Sequence, residues 1–300
     1  MNVSSANVTL VLQYRDSFSK AMTKNVIVVV LGISINYINA GLIRTFCKHQ
    51  IFYTNPRYIL FFHLVVNDMI QLTVTIIMFV LSYTVYKMKV YFCCILVVLA
   101  VFASENTPLN LACMAVECYI AVCFPLRHMQ ICTVRRTLML IGFMWSTSMM
   151  TVLPDLFLTL ATEPLDFFHS KVFCLRQNAF PNPLIMKKRD ITYSVFLVTV
   201  LITIFYTYFN ILFTAKKASI DAKKARDTIV LHGFQLLLCI STYAGPQVLN
   251  VLKQFFPENY IDHVFASYII VQILPRSISP ILYGIRDKTF RIHLKSHLWC

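Results

Sequence analysis

The sequence predicts an all-α protein. It reads as a seven-transmembrane helix bundle, N-terminus outside and C-terminus inside, with a short amphipathic eighth helix. Three observations predict it. Hydrophobic residues make up 58% of the 300 and charged residues 13%, against about 45–50% and about 25% in soluble domains. The mean hydropathy is +0.66, so the apolar excess has to face lipid. Seven stretches are apolar over the ~20 residues that a helix needs to cross a ~30 Å bilayer core.

The spans are read at residues 25–46, 58–85, 90–122, 134–160, 191–215, 225–252 and 260–284. Residues 1–24 are then an extracellular N-terminus and 285–300 a cytoplasmic tail. Backbone groups inside lipid must bond within their own segment, which makes the spans helices. No run of alternating ten-residue segments points to a barrel.

Charge sets the orientation. The net charge is +14. The basic residues are spread over short loops and form no single patch, so the charge reads as topogenic and not as a nucleic-acid surface. With the N-terminus outside, the inner segments hold 15 basic residues and the outer ones 11, with Arg276 inside the seventh span. The sequons at Asn2 and Asn7 fit an outer, glycosylated start. The first 20 or so residues lack the pattern of a cleavable signal, so the first span is expected to direct insertion. Residues 287–297, with Phe290, Ile292 and Leu294 among basic neighbours, read as an interfacial helix on membrane lipid. Cys300 is a possible palmitoylation site.

Ten cysteines include no CxxC pair and no Cys/His cluster of metal spacing. No metal and no cofactor is implied. Cys174 is the single cysteine of the long outer loop, and Cys93 and Cys94 lie at the outer end of the third span. A bridge from Cys174 to one of these two suits an oxidising compartment. An enzyme is disfavoured by the absence of HExxH and GxSxG. A transporter or channel would show internal repeats with paired broken helices, and Pro108, Pro154 and Pro246 do not correspond.

Motifs then narrow the class. Residues 114–126, MAVECYIAVCFPL, follow the third span. They resemble the MAYDRYVAICxPL signature of olfactory receptors, within the rhodopsin-like G-protein-coupled receptors. Pro56-Arg57-Tyr58 with Asn67-Asp68 is similar to PMYFFLxxLSxxD. Trp145 matches the fourth-span tryptophan, and Lys224, Ala225, Thr228 and His232 match KAxxTxxxH. Ser279-Pro280-Ile281-Leu282-Tyr283 resembles NPxxY, and Arg286-Asp287-Lys288 the RNK that follows it. The resemblance covers essentially the whole chain and is strongest to fish-type receptors. It selects Cys93, which lies 25 residues before Cys118, as the partner of Cys174.

The resemblance implies a small-molecule odorant bound within the bundle and a heterotrimeric G protein of the stimulatory olfactory type. It places the G-protein face and switch at Glu117, Cys118, Tyr119, Tyr208, Lys224, His232, Ser279, Pro280 and Tyr283. Two departures bear on that switch. Cys118 stands where the family has the DRY arginine, and Ser279 replaces the NPxxY asparagine. A receptor of the same fold for a peptide or amine is the alternative reading.

Charges at membrane depth are costly and turn inward. Asp68, Glu105 and Arg276 are expected to form such an interior network; the resemblance implies a sodium site at Asp68 in many relatives, and Arg276 is expected to replace that ion, pairing with Asp68 or Glu105. Glu105 has a second reading, as the anchor of a cationic ligand group. Phe102, Ser104, Thr203, Tyr243, Tyr268 and Gln272 complete the pocket candidates. Tyr268 and Gln272 are expected on one helix face at i, i+4 spacing.

Overall fold

The computed structural model describes residues 17–85, 87–217 and 259–278, with residues 230, 233, 234, 237, 248, 249, 251, 252 and 254–256 between them. Expectations for Asn2, Asn7, Lys224, His232, Tyr243, Ser279, Pro280, Tyr283, Cys300 and the eighth helix lie outside the described residues.

Among the described residues, five helices are long and apolar enough to span a membrane. They are α1 (Phe18–Lys48), α2 (Pro56–Thr84), α3 (Val90–Cys123), α5 (Val134–Thr162) and α8 (Pro183–Lys217). The short helix α4 (Pro125–Ile131) joins α3 to α5. Between α5 and α8 lie α6 (Leu165–His169) and α7 (Arg176–Ala179). After these comes α9 (Tyr260–Tyr268). All five long helices coincide with the first five sequence-predicted spans.

Polar caps extend two of them beyond the apolar stretch. Ser17 accepts from the Lys20 amide and starts α1 seven residues before the expected boundary. The Asn182 side chain accepts from the Leu184 amide at 2.9 Å, so α8 starts at Pro183 and not at 191. Asn55 and Thr133 cap α2 and α5 in the same way, each satisfying an amide that the first turn leaves unpaired.

The central helix is α3, which packs against α2, α8 and α5. Its neighbours form separate apolar clusters. At the end where α2 begins, Leu42, Phe46, Phe52, Leu60 and Leu64 pack with Leu111, Met114 and Met144. At the opposite end, Val74, Val90 and Val97 pack with Phe168, Phe180 and Ile185. The loop strands β1 (Met88–Lys89) and β2 (Lys171–Val172) pair antiparallel across this second end. The Cys93–Cys174 disulfide fastens it, with Cα atoms 5.5 Å apart. Large apolar side chains such as Leu138, Phe143, Val198 and Phe205 stay exposed on the outside of the bundle, as a lipid-facing surface requires.

Helices α1 and α2 approach closely at Gly32. A Cβ built there falls 2.0 Å from Ile76 Cδ1, so a side chain at this crossing requires the tip of Ile76 to move.

The helix after α9 is not regular. Residues Ile269–Ile273 form a π-helical turn, and helix resumes over residues 274–278. Pro275 explains the break. It has no N–H to give to the carbonyl of Val271, and its ring crowds that carbonyl. The guanidinium of Arg276 fills the vacancy, with Nη1 donating to the carbonyls of Val271 at 2.9 Å and Gln272 at 2.5 Å.

Candidate functional site

Two buried polar clusters sit on α3, one towards each end. The first lies between the middle of the bundle and the disulfide. Glu105 is 2% exposed and accepts a hydrogen bond from the Thr151 hydroxyl of α5. One turn further along α5, Asp155 is 4% exposed. Its carboxylate takes Lys188 Nζ at 2.7 Å and Arg176 Nη2 at 3.3 Å. Lys188 also donates to the Thr151 carbonyl at 2.8 Å, one turn before Pro154, which lies inside the continuous helix. Arg176 donates further to the Tyr193 hydroxyl. Asp155, Arg176 and Lys188 all lie within electrostatic reach of Glu105.

Two carboxylates and two cations thus share one cluster. Its members come from α3, α5, α7 and α8. Both cations are held by the Asp155 carboxylate, which is what stabilises their charge at this depth. Arg176 follows the disulfide by two residues, so the cross-link positions it over the cluster.

The sequence-predicted residues fall into three sets. Glu105 belongs to this cluster, where it accepts from the Thr151 hydroxyl. Ser104 accepts from Gln71 of α2. Phe102 packs edge-on against Trp145, ring centres 5.0 Å apart, and Trp145 donates to His63 at 2.6 Å. Thr203 spends its hydroxyl on the Thr199 carbonyl of its own helix.

Asp68 is 2% and Arg276 5% exposed, so both charges are interior as expected. The contacts described for Arg276 are the two carbonyls of its own helix. Tyr268 packs against Phe79 of α2, ring centres 4.5 Å apart and the planes tilted by 33°. Ile273, five residues on, joins Tyr268 in the cluster around Val28, Leu72 and Phe79.

The second cluster is at the other end of α3. Glu117 is 6% exposed. Arg57 Nε of α2 lies 3.0 Å from one carboxylate oxygen and His128 Nε2 of α4 lies 3.0 Å from the other. Cys118 is buried with Ala115, Val200, Ile204 and Ile211, and Tyr208 packs at its edge. Tyr119 meets Tyr206 edge-on at 5.9 Å.

Sequence reasoning missed Asp155, Arg176, Lys188, Tyr193, Arg57 and His128 as site residues. One signal was available for Asp155, an acid inside the fourth apolar stretch. For the others, adjacency arises only on folding.

Among the described residues, no group of three or more His, Cys, Asp or Glu side chains could hold a metal ion. The comparisons with known proteins agree with the helical architecture. The model of the 7 transmembrane receptor (rhodopsin family) matches residues 38–283. Odorant receptor 131-2 of Danio rerio is 28% identical over 276 residues, which cover 91% of this chain and 84% of that protein. With five apolar membrane helices in place and four-fifths of its length matched by that family, the chain belongs to the rhodopsin family of seven-transmembrane receptors, as a multi-pass membrane protein and not an enzyme.

Proposed function

We propose that this receptor senses odorants. It binds a small molecule within the bundle and passes the signal to a heterotrimeric G protein of the stimulatory type. Ligand and G protein follow from the family. The odorant reading draws on the likeness to Odorant receptor 131-2. The observation that carries the position of the binding site is the polar cluster around Glu105, set under the disulfide-tethered loop. Small-ligand sites combine apolar walls with a few placed polar groups, and Phe102 and Glu105 supply both on neighbouring turns of α3.

In this reading the disulfide end faces outward, the N-terminus is outside and the C-terminus inside. Asp68 and Arg276 form an interior pair. Ser104, Thr203, Tyr243, Tyr268 and Gln272 stand as further pocket residues, and the Lys224, His232, Ser279, Pro280 and Tyr283 positions form the switch beside Tyr208.

The experiment is odorant-evoked cyclic AMP in cells carrying the receptor, with surface amount matched. Wild type responds to members of an odorant panel, and Glu105→Gln loses the response or shifts its potency. A receptor that reaches the surface and answers a peptide but no odorant overturns the ligand class. An odorant-gated current without cyclic AMP overturns the signalling route.

A further inference from the structure

Two departures from the olfactory-receptor pattern meet in space. Cys118 removes the arginine beside Glu117, and Arg57 puts an arginine where PMYFF has methionine. Sixty residues apart in sequence, Arg57 and Glu117 are 3.0 Å apart in the fold. We propose that Arg57 is the positioning residue that takes over the lost guanidinium, and that Arg57, Glu117 and His128 form the latch holding the feet of α2, α3 and α4 together in the resting receptor.

Three observations carry this. Glu117 is buried, and an ionised carboxylate at 6% exposure needs a cation. Each of its two oxygens has its own partner, Arg57 on one and His128 on the other. Helix α4 has no buried residue, so apolar packing does not fix its place. Its ties are polar: His128 to Glu117, and Arg136 Nη1 to the carbonyls of Gln130 and Ile131 at 2.8 and 3.2 Å. The side chain of Cys118 meanwhile packs into the apolar contact between α3 and α8, where it cannot serve as a cation. A state that separates these three feet loses the Arg57 ion pair and the His128 hydrogen bond, so these contacts bias the receptor against that state. The inference rests on the family's coupling to a G protein and not on the identity of the ligand.

Two measurements on the full-length receptor test it. The first is amide hydrogen exchange over residues 125–131 in detergent. Arg57→Ala and Glu117→Gln each speed exchange there roughly tenfold, and Arg57→Lys stays near wild type. The second is ligand-independent nucleotide exchange on a panel of purified G proteins spanning the major classes. Arg57→Ala and Glu117→Gln raise it several-fold on the G protein that the wild type engages, again with Arg57→Lys near wild type. Unchanged exchange over residues 125–131 in both variants overturns the latch. A change with Glu117→Gln alone overturns the role of Arg57. Loosened α4 with no rise in nucleotide exchange on any G protein overturns the bias on signalling. Because no odorant is used, a failed odorant screen leaves each of these results readable.

Discussion

Lys188 of α8 reaches Asp155 of α5 at 2.7 Å and the Thr151 carbonyl at 2.8 Å. One ammonium therefore ties the fifth long helix to the fourth beside Pro154. Asp155→Ala takes away the shared anion of Lys188 and Arg176. Both cations are partly exposed and so partly screened, which puts the cost below the about 3–5 kcal/mol of breaking a fully buried pair. The expected outcome is a clear fall in melting temperature of the solubilised receptor and in its surface amount. Lys188→Met with Asp155→Leu is expected to fall less than Asp155→Ala alone.

The bridge between Cys93 and Cys174 closes a loop of 81 residues in sequence separation. Loss of a disulfide commonly costs about 2–5 kcal/mol. Cys93→Ser, Cys174→Ser and the double variant are expected to lose surface expression equally. Flow cytometry with a tag at the N-terminus measures this. A double variant much worse than either single one would indicate two separate roles.

At Gly32 any added side chain meets the tip of Ile76, which has to move aside. Overpacking costs about 1–3 kcal/mol. Gly32→Leu is expected to lower thermal stability, and Ile76→Ala in the same chain to return part of it. The two effects add if the helices do not meet there.

Arg276→Ala leaves the Val271 and Gln272 carbonyls without their guanidinium donor and takes a charge from the interior. Lower surface expression is the expected outcome. If Asp68 and Arg276 act as a pair, Asp68→Asn together with Arg276→Gln recovers part of the loss, whereas additive damage excludes the pairing.

Cys132 lies between α4 and α5, outside the spanning helices. Burial pushes its thiol above the ordinary cysteine range, and the nearby Glu117 charge adds to this while Arg136 opposes it. A raised value means less thiolate at neutral pH, hence slow alkylation that accelerates only at higher pH than for an ordinary cysteine. Glu117→Gln removes one raising influence and is expected to speed alkylation at pH 8, measured by mass spectrometry of the peptide containing Cys132.

Hydropathy alone located all five long helices, because a helix in lipid has to be apolar along its middle. It misjudged the starts of α1 and α8, where Ser17 and Asn182 cap turns that lie beyond the apolar stretch. The motif spacing selected Cys93 as the partner of Cys174 correctly. The polar clusters were only half legible. Glu105 and Glu117 stood out as acids in apolar runs, but their partners are distant in sequence. Thr151 is 46 residues from Glu105, and Arg57 is 60 from Glu117. Nothing in local pattern joins such positions until helices pack. The π turn was hidden for another reason. Its cause, Pro275, acts on a carbonyl four residues earlier, and an apolar run with one proline reads the same whether the chain winds tightly or loosely.

That surplus residue in the turn at Ile269–Ile273 has a geometric consequence. A straight α-helix advances about 100° of rotation per residue. Everything on the far side of the insertion is therefore rotated by that amount relative to an uninterrupted helix. Comparing this segment position by position with an unbroken counterpart assigns side chains to the wrong azimuth on one side of the insertion.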